Sequence, residues 1–111
     1  MEEDSGCSCS GGKFGGDGFE EPYLGMDNRF GEVSLIRCKR CQRLWLHYYY
    51  VNEAFTGSGR WYHGLLAPEM ENSVTADNAL EILSKLAWYW CGGSWYHGSV
   101  VKEKGPPNLF P

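Results

Sequence analysis

From Glu32 onward the apolar positions first follow a short-strand pattern and then recur at helical spacing. Val33, Leu35 and Ile36 predict a strand that runs into a turn at Cys38–Cys41. Residues 44–55, rich in aromatic and β-branched types, predict a second strand. Thr56-Gly57-Ser58-Gly59 then supplies a turn into a third strand, Arg60–Leu66, which completes a three-stranded antiparallel meander. After a loop at Pro68–Ser73, Ala76, Ala79, Leu80, Leu83, Leu86, Ala87 and Trp90 form one apolar stripe at i, i+3, i+4, i+7, predicting a helix over 75–91. Thr75 is its expected cap, Asp77 suits the N-terminal dipole, and Glu81 pairs with Lys85 one turn on. Gly92-Gly93 should stop that helix, with a fourth strand over Ser94–Lys102 before a Pro-rich tail. The expected fold class is α+β: an antiparallel β-meander of about four strands packed against one α-helix in the C-terminal half.

In the second strand Trp45, His47, Tyr49 and Val51 point one way, while Leu44, Leu46, Tyr48 and Tyr50 point the other. One helix can cover only one of these faces. The other needs the N-terminal arm, a symmetry mate or a protein partner. Residues 1–31 are rich in Gly, Ser and acids and are expected to be an irregular arm, with 32–111 as the α+β domain. This division sharpens the charge. The net charge is −4, yet residues 1–31 alone carry seven acids against Lys13 and Arg29, leaving the remainder nearly neutral.

A chain of 111 residues accommodates one domain, and its many Trp, Tyr and Phe residues supply large buried areas. No apolar run approaches the roughly 20 residues that span a bilayer, and Glu2, Glu3 and Asp4 stand where a signal peptide would be basic. The expected location is the cytoplasm, away from membranes. In a reducing compartment, close cysteine pairs favour metal binding or redox chemistry over structural disulfides.

Four of the five cysteines form two such pairs, Cys7-Ser8-Cys9 and Cys38-Lys39-Arg40-Cys41. Two thiolates from each of two tight turns suit a tetrahedral structural zinc, so Cys7, Cys9, Cys38 and Cys41 are the candidate ligands, tethering the arm to the meander. Around residues 33–48 the Cys38-Lys39-Arg40-Cys41 turn resembles those of zinc-ribbon and zinc-knuckle proteins, with Lys39 and Gln42 where the typical turn has proline and glycine. The resemblance implies a metal knuckle and no particular activity. A disulfide, unligated thiols, or an iron–sulfur cluster or thiol redox sensor are the alternatives. Arg37, Lys39, Arg40 and Arg43 crowd the same turn. They offset the −2 charge of a zinc tetrathiolate, and with the overall acidity this argues against a nucleic-acid footprint.

Gly59-Arg60-Trp61-Tyr62-His63-Gly64 recurs as Gly93-Ser94-Trp95-Tyr96-His97-Gly98, identical at five of six positions. On two strands the Trp/His pairs could meet. His47, Trp61, His63, Trp95 and His97 are therefore a candidate pocket for a small ligand or a second metal, set against the ordinary role of half-buried, hydrogen-bonded histidines. Cys91, at the expected helix C-terminus, is expected to be a buried unreactive thiol, since the dipole there disfavours thiolate. Trp88, projecting beside Asp77 and Glu81, is a candidate partner surface. No Walker loop, dinucleotide fingerprint, HExxH or GxSxG is present. The leading expectation is a zinc-stabilised protein-binding domain without enzymatic activity, of an inhibitor or immunity type. The competing one is an enzyme or small-ligand binder that uses the histidine pocket.

Overall fold

The computed structural model describes residues 18–51 and 56–107. Among the described residues seven strands form one antiparallel sheet: β1 (Phe19–Glu20), β2 (Tyr23–Met26), β3 (Glu32–Cys38), β4 (Leu44–Tyr50), β5 (Arg60–Leu66), β6 (Tyr89–Gly92) and β7 (Val101–Glu103). β1 and β2 lie end to end along β3, and the sheet then runs β3-β4-β5-β6-β7 in chain order. The expected meander is therefore present as the three central strands. The sheet also extends into the segment expected to be irregular, because Phe19–Glu20 and Tyr23–Met26 pair with β3.

One face of the sheet is the main core. Val33, Leu35, Leu44, Leu46, Tyr48, Tyr62, Leu66, Tyr89 and Cys91 pack there against Val74, Ala79 and Leu83. The last two belong to the helix α1 (Ala79–Lys85). Gly64 makes its close approach possible: a Cβ at this position would lie 2.8 Å from Leu83 Cδ2 and overlap Leu86 Cδ1. On the opposite face a smaller cluster forms from Ile36, Cys38 and Trp45, with Phe19, Cys41, Trp88 and Trp90 packed against it.

The helix is much shorter than the expected 75–91. Residues 76–78 form a turn in which Thr75 Oγ1 accepts the Asn78 amide at 3.2 Å and Asn78 Oδ1 accepts the Thr75 amide at 2.7 Å. Thr75 thus caps the approach to the helix, whose own N-cap position is Asn78. At Leu86 the backbone turns extended, with ψ 154°. Leu86, Ala87 and Trp90 fit a helical stripe, but Trp88-Tyr89-Trp90-Cys91 also alternate, and the period of two prevails. Tyr89 and Cys91 enter the main core while Trp88 and Trp90 join the opposite cluster. An aromatic run gains more from pairing with β5 than from another helical turn.

The expected fourth strand over 94–102 is likewise replaced, by a 3-10 turn at Ser94–Tyr96 and then β7. Gly93 adopts φ 111°, and its Cα packs so closely on β5 that a Cβ would fall 2.7 Å from Gly59 O. The substitution Gly64→Ala should destabilise the fold by about 1–3 kcal/mol through overpacking against Leu83 and Leu86. Urea denaturation should show a lower midpoint at an unchanged m-value.

Candidate functional site

The face opposite α1 is built in rows by strand register. Tyr23, Ser34, His47, His63, Trp90 and Lys102 are successive partners from β2 to β7. A second row contains Met26, Glu32, Tyr49, Trp61 and Gly92. A third contains Ile36, Trp45 and Leu65.

His47 and His63 meet at the centre, with Nδ1 of His47 2.6 Å from Nε2 of His63. Trp61 stacks on His63 at 4.4 Å between centroids, and only 5% of His63 is exposed. The Glu21 carboxylate accepts the Ser34 hydroxyl at 2.8 Å and lies 4.0 Å from His47 Nε2. We assign the His47 proton to Nε2, facing that carboxylate, so that the His63 Nε2–H donates to His47 Nδ1. Burial lowers both imidazole pKa values. The proximity of His47 lowers that of His63 further, whereas Glu21 and Glu32 partly oppose the shift at His47. The pair is neutral at pH 7.

The pocket expected from sequence is thus half assembled. His47, Trp61 and His63 come together, but Trp95 and His97 do not join them. Trp95 lies in the 3-10 turn and stacks on Arg60 at 4.1 Å, and His97 follows it, exposed, in the left-handed region at φ 57°. The two copies of the repeated motif meet at other positions. The Trp95 amide donates to Gly59 O at 2.8 Å, and the Tyr62 and Tyr96 hydroxyls hydrogen-bond each other. Glu21 and Ser34 are the members of the site that sequence reasoning missed. Ser34 was discoverable from the hairpin register, whereas nothing local marks Glu21.

Trp88 does not project from the helix beside Asp77 and Glu81. It follows α1, packs edge-on against Trp45 at 6.2 Å and Trp90 at 5.3 Å, and carries Lys102 Nζ at 4.5 Å from its ring centre. Cys91 is not at a helix end but in β6. It is a buried thiol whose pKa burial pushes up to about 12, against the opposing effect of the Tyr96 hydrogen bond. The expectation of a buried thiol holds, although the dipole is not its cause.

Cys38 and Cys41 flank the β3–β4 turn, Cys38 buried and Cys41 half-buried. The Gln42 amide donates to Cys38 O at 2.8 Å, and Gln42 takes φ 66°, the conformation a glycine would adopt without strain. Arg43 Nη1 donates to Cys41 Sγ at 3.3 Å. The Lys39 amide donates to Gly18 O at 2.8 Å, so the first described residue lies on the turn itself. Cys7 and Cys9 lie outside the described residues. Among the described residues no cluster of three or more His, Cys, Asp or Glu side chains could hold a metal, and no helix is long and apolar enough to cross a membrane. No family model, curated protein or solved structure matches the chain.

Because His47 and His63 have lowered pKa values in the folded state, the unfolded chain binds more protons below its histidine pKa of about 6.5. Stability should be full above that pH and fall as pH drops through the interval down to the folded values, by up to about 1.4 kcal/mol per pH unit per proton. Thermal melts between pH 7 and 5.5 should show this slope, and His63→Gln should flatten it.

Proposed function

We propose that the chain is a small zinc-stabilised protein-binding domain, of the kind that inhibits or neutralises a partner, working in the cytoplasm. The observation that carries the binding part is the apolar surface left opposite the helix. Tyr23 is 59% exposed, Met26 47%, Tyr49 37% and Leu65 37%, all on one face of the sheet. A face of this kind marks an interaction site. Of the nucleophile types near the site, Cys91 is buried in the core on the other side, and Ser34, whose hydroxyl donates to Glu21, is itself only 3% exposed.

Cys38 and Cys41 would supply half of the zinc site and Cys7 and Cys9 the other half. Supporting this are the position of Gly18 on the Cys38–Cys41 turn and the cationic donor at Cys41. Cys9 precedes Gly18 by nine positions, enough chain to reach the turn at roughly 3.3 Å per residue. When bound, zinc would tie the arm to the β3–β4 turn and lower the pKa of the thiols. The cations around the turn match this better than they match a phosphate backbone.

A second reading, a small-ligand or metal-dependent catalytic site, is favoured by the short His47–His63 contact alone. It predicts a second metal or an activity that is lost in His63→Gln.

Elemental analysis should find about one zinc per chain, lost in Cys38→Ser and in the Cys7→Ser/Cys9→Ser pair but retained in His63→Gln. Chelation should lower the melting temperature. For the binding part, a photo-crosslinking amino acid at Tyr23 or Leu65 should capture one discrete protein in the native host, and the same probe at Glu81 on the helix side should not. Equal capture at all three positions would sink the reading.

A further inference from the structure

The central part of the exposed face combines aromatic rings with carboxylates. Tyr49 and Trp61 are cross-strand partners, and Glu32 pairs with Tyr49 on its other side. Glu21 and Glu32 both act electrostatically on His47 in the adjacent row, so the two carboxylates flank the same patch. His47 and His63 place no positive charge between them. At the far end of the row Lys102 Nζ already rests over Trp88 and Trp90, at 4.5 and 5.2 Å. The face thus binds one cation of its own through ring contacts.

We propose that this patch is the docking site for an arginine- or lysine-bearing extended segment of a partner protein, whose cationic group lies over Tyr49 and Trp61 and faces Glu21 and Glu32. The inference rests on the protein-binding reading above and names the partner's chemistry. Charge complementarity selects this occupant from the alternatives. The chain's own N-terminal arm carries Glu2, Glu3, Asp4 and Asp17 against Lys13, and would bring like charge to Glu21 and Glu32. A second copy apposed with its two-fold axis through the patch would set those same carboxylates against each other. Nucleic-acid phosphates are repelled in the same way. An arginine side chain offers a planar guanidinium that stacks on the rings and donates to both carboxylates, and the exposed Tyr23 and Met26 in the same two rows supply apolar contact to the rest of the segment.

The test is an NMR titration of the full chain with the capped peptide Gly-Arg-Tyr-Arg-Gly and, separately, with its Gly-Glu-Tyr-Glu-Gly counterpart. The expected result is saturable shifts at the Trp61 indole and at Tyr49 and His47 with the arginine peptide only. Glu21→Gln/Glu32→Gln should weaken binding about tenfold or more. The amide oxygen introduced by Glu21→Gln can still accept the Ser34 hydroxyl, so the fold is retained. Tyr49→Ala provides a second variant at an exposed position, with the same expected loss, and Glu81→Gln on the helix side should bind normally.

Absence of saturable shifts, an unchanged affinity in both variants, or shifts confined to another surface would overturn the proposal. So would sedimentation showing a dimer that Tyr49→Ala dissociates, or saturable binding of single-stranded DNA at the same residues. Crosslinking from Tyr23 and Leu65 that persists undiminished in Glu21→Gln/Glu32→Gln would leave the domain a protein binder and overturn only the cationic assignment.

Discussion

Everything on both faces of this sheet depends on the register of β4 between β3 and β5. Side chains on a strand alternate with a period of two, so a slip of one residue would carry Leu44, Leu46 and Tyr48 out of the main core and put Trp45, His47 and Tyr49 in their place. The β3–β4 turn sets one side of this register, because the Gln42 amide bonds to Cys38 O and the Cys38 amide to Arg43 O, which makes Arg37 the partner of Leu44. Tyr48 pins the far end of the pair. Its hydroxyl donates to Asp27 Oδ2 at 2.7 Å, and Asp27 Oδ1 accepts the amides of Arg29 and Gly31, closing the β2–β3 turn. A buried phenol that meets a carboxylate has little freedom to relocate, since an unpaired partner would cost about 1–3 kcal/mol.

The same register explains why chemistry collects on the face away from the helix. The main core is apolar through its middle, with the buried Arg60 set against Tyr50 and Tyr62 at one end, whereas the other face takes Ser34, His47 and His63 as direct neighbours. Burying an imidazole favours its neutral form, and in a neutral pair one N–H is shared between the two facing ring nitrogens. The stacking of Trp61 on His63 completes the enclosure. The histidines are thus first a means of keeping a half-buried polar row satisfied. The role they leave open is to set the charge of the surface above them.

The central meander and the existence of a helix were legible in the sequence because their signals were local: alternation in β3, aromatic and β-branched enrichment in β4, a Gly-rich turn before β5, and the Ala79–Leu83 stripe. The segment after Leu86 is not legible locally because its residues satisfy two periods at once, and the choice between them is made by long-range pairing with β5. Trp61↔Gly92 and Tyr62↔Cys91 cannot be seen from residues 86–92 alone. The structure brings His47 and His63 together and places His97 apart from them, because motif identity does not make the backbone equal. Gly93 and Gly98 give the second copy a different conformation, at φ 111° and 80°. Glu21 had no local signal, since its place depends on β1 and β2 pairing with β3 from within an acidic, glycine-rich stretch.

The edge formed by β1 and β2 also connects the two ends of the functional reading. β1 pairs with β3 beside Cys38, while Glu21, immediately after β1, reaches Ser34 and the histidine row. A ligand that fixes the chain preceding Gly18 at the Cys38–Cys41 turn would therefore fix β1, and through it the position of Glu21. Apart from that anchor, β1 has two residues of pairing, flanked by the bonds from the Lys39 amide to Gly18 O and from the Leu35 amide to Pro22 O, set against an ordering entropy of about 1–2 kcal/mol per residue. A metal at the turn, were one bound, would in this way be coupled to the charge on the aromatic face through one short strand. A structural zinc in this fold would stabilise the knuckle and also hold in place one of the carboxylates that define the binding surface.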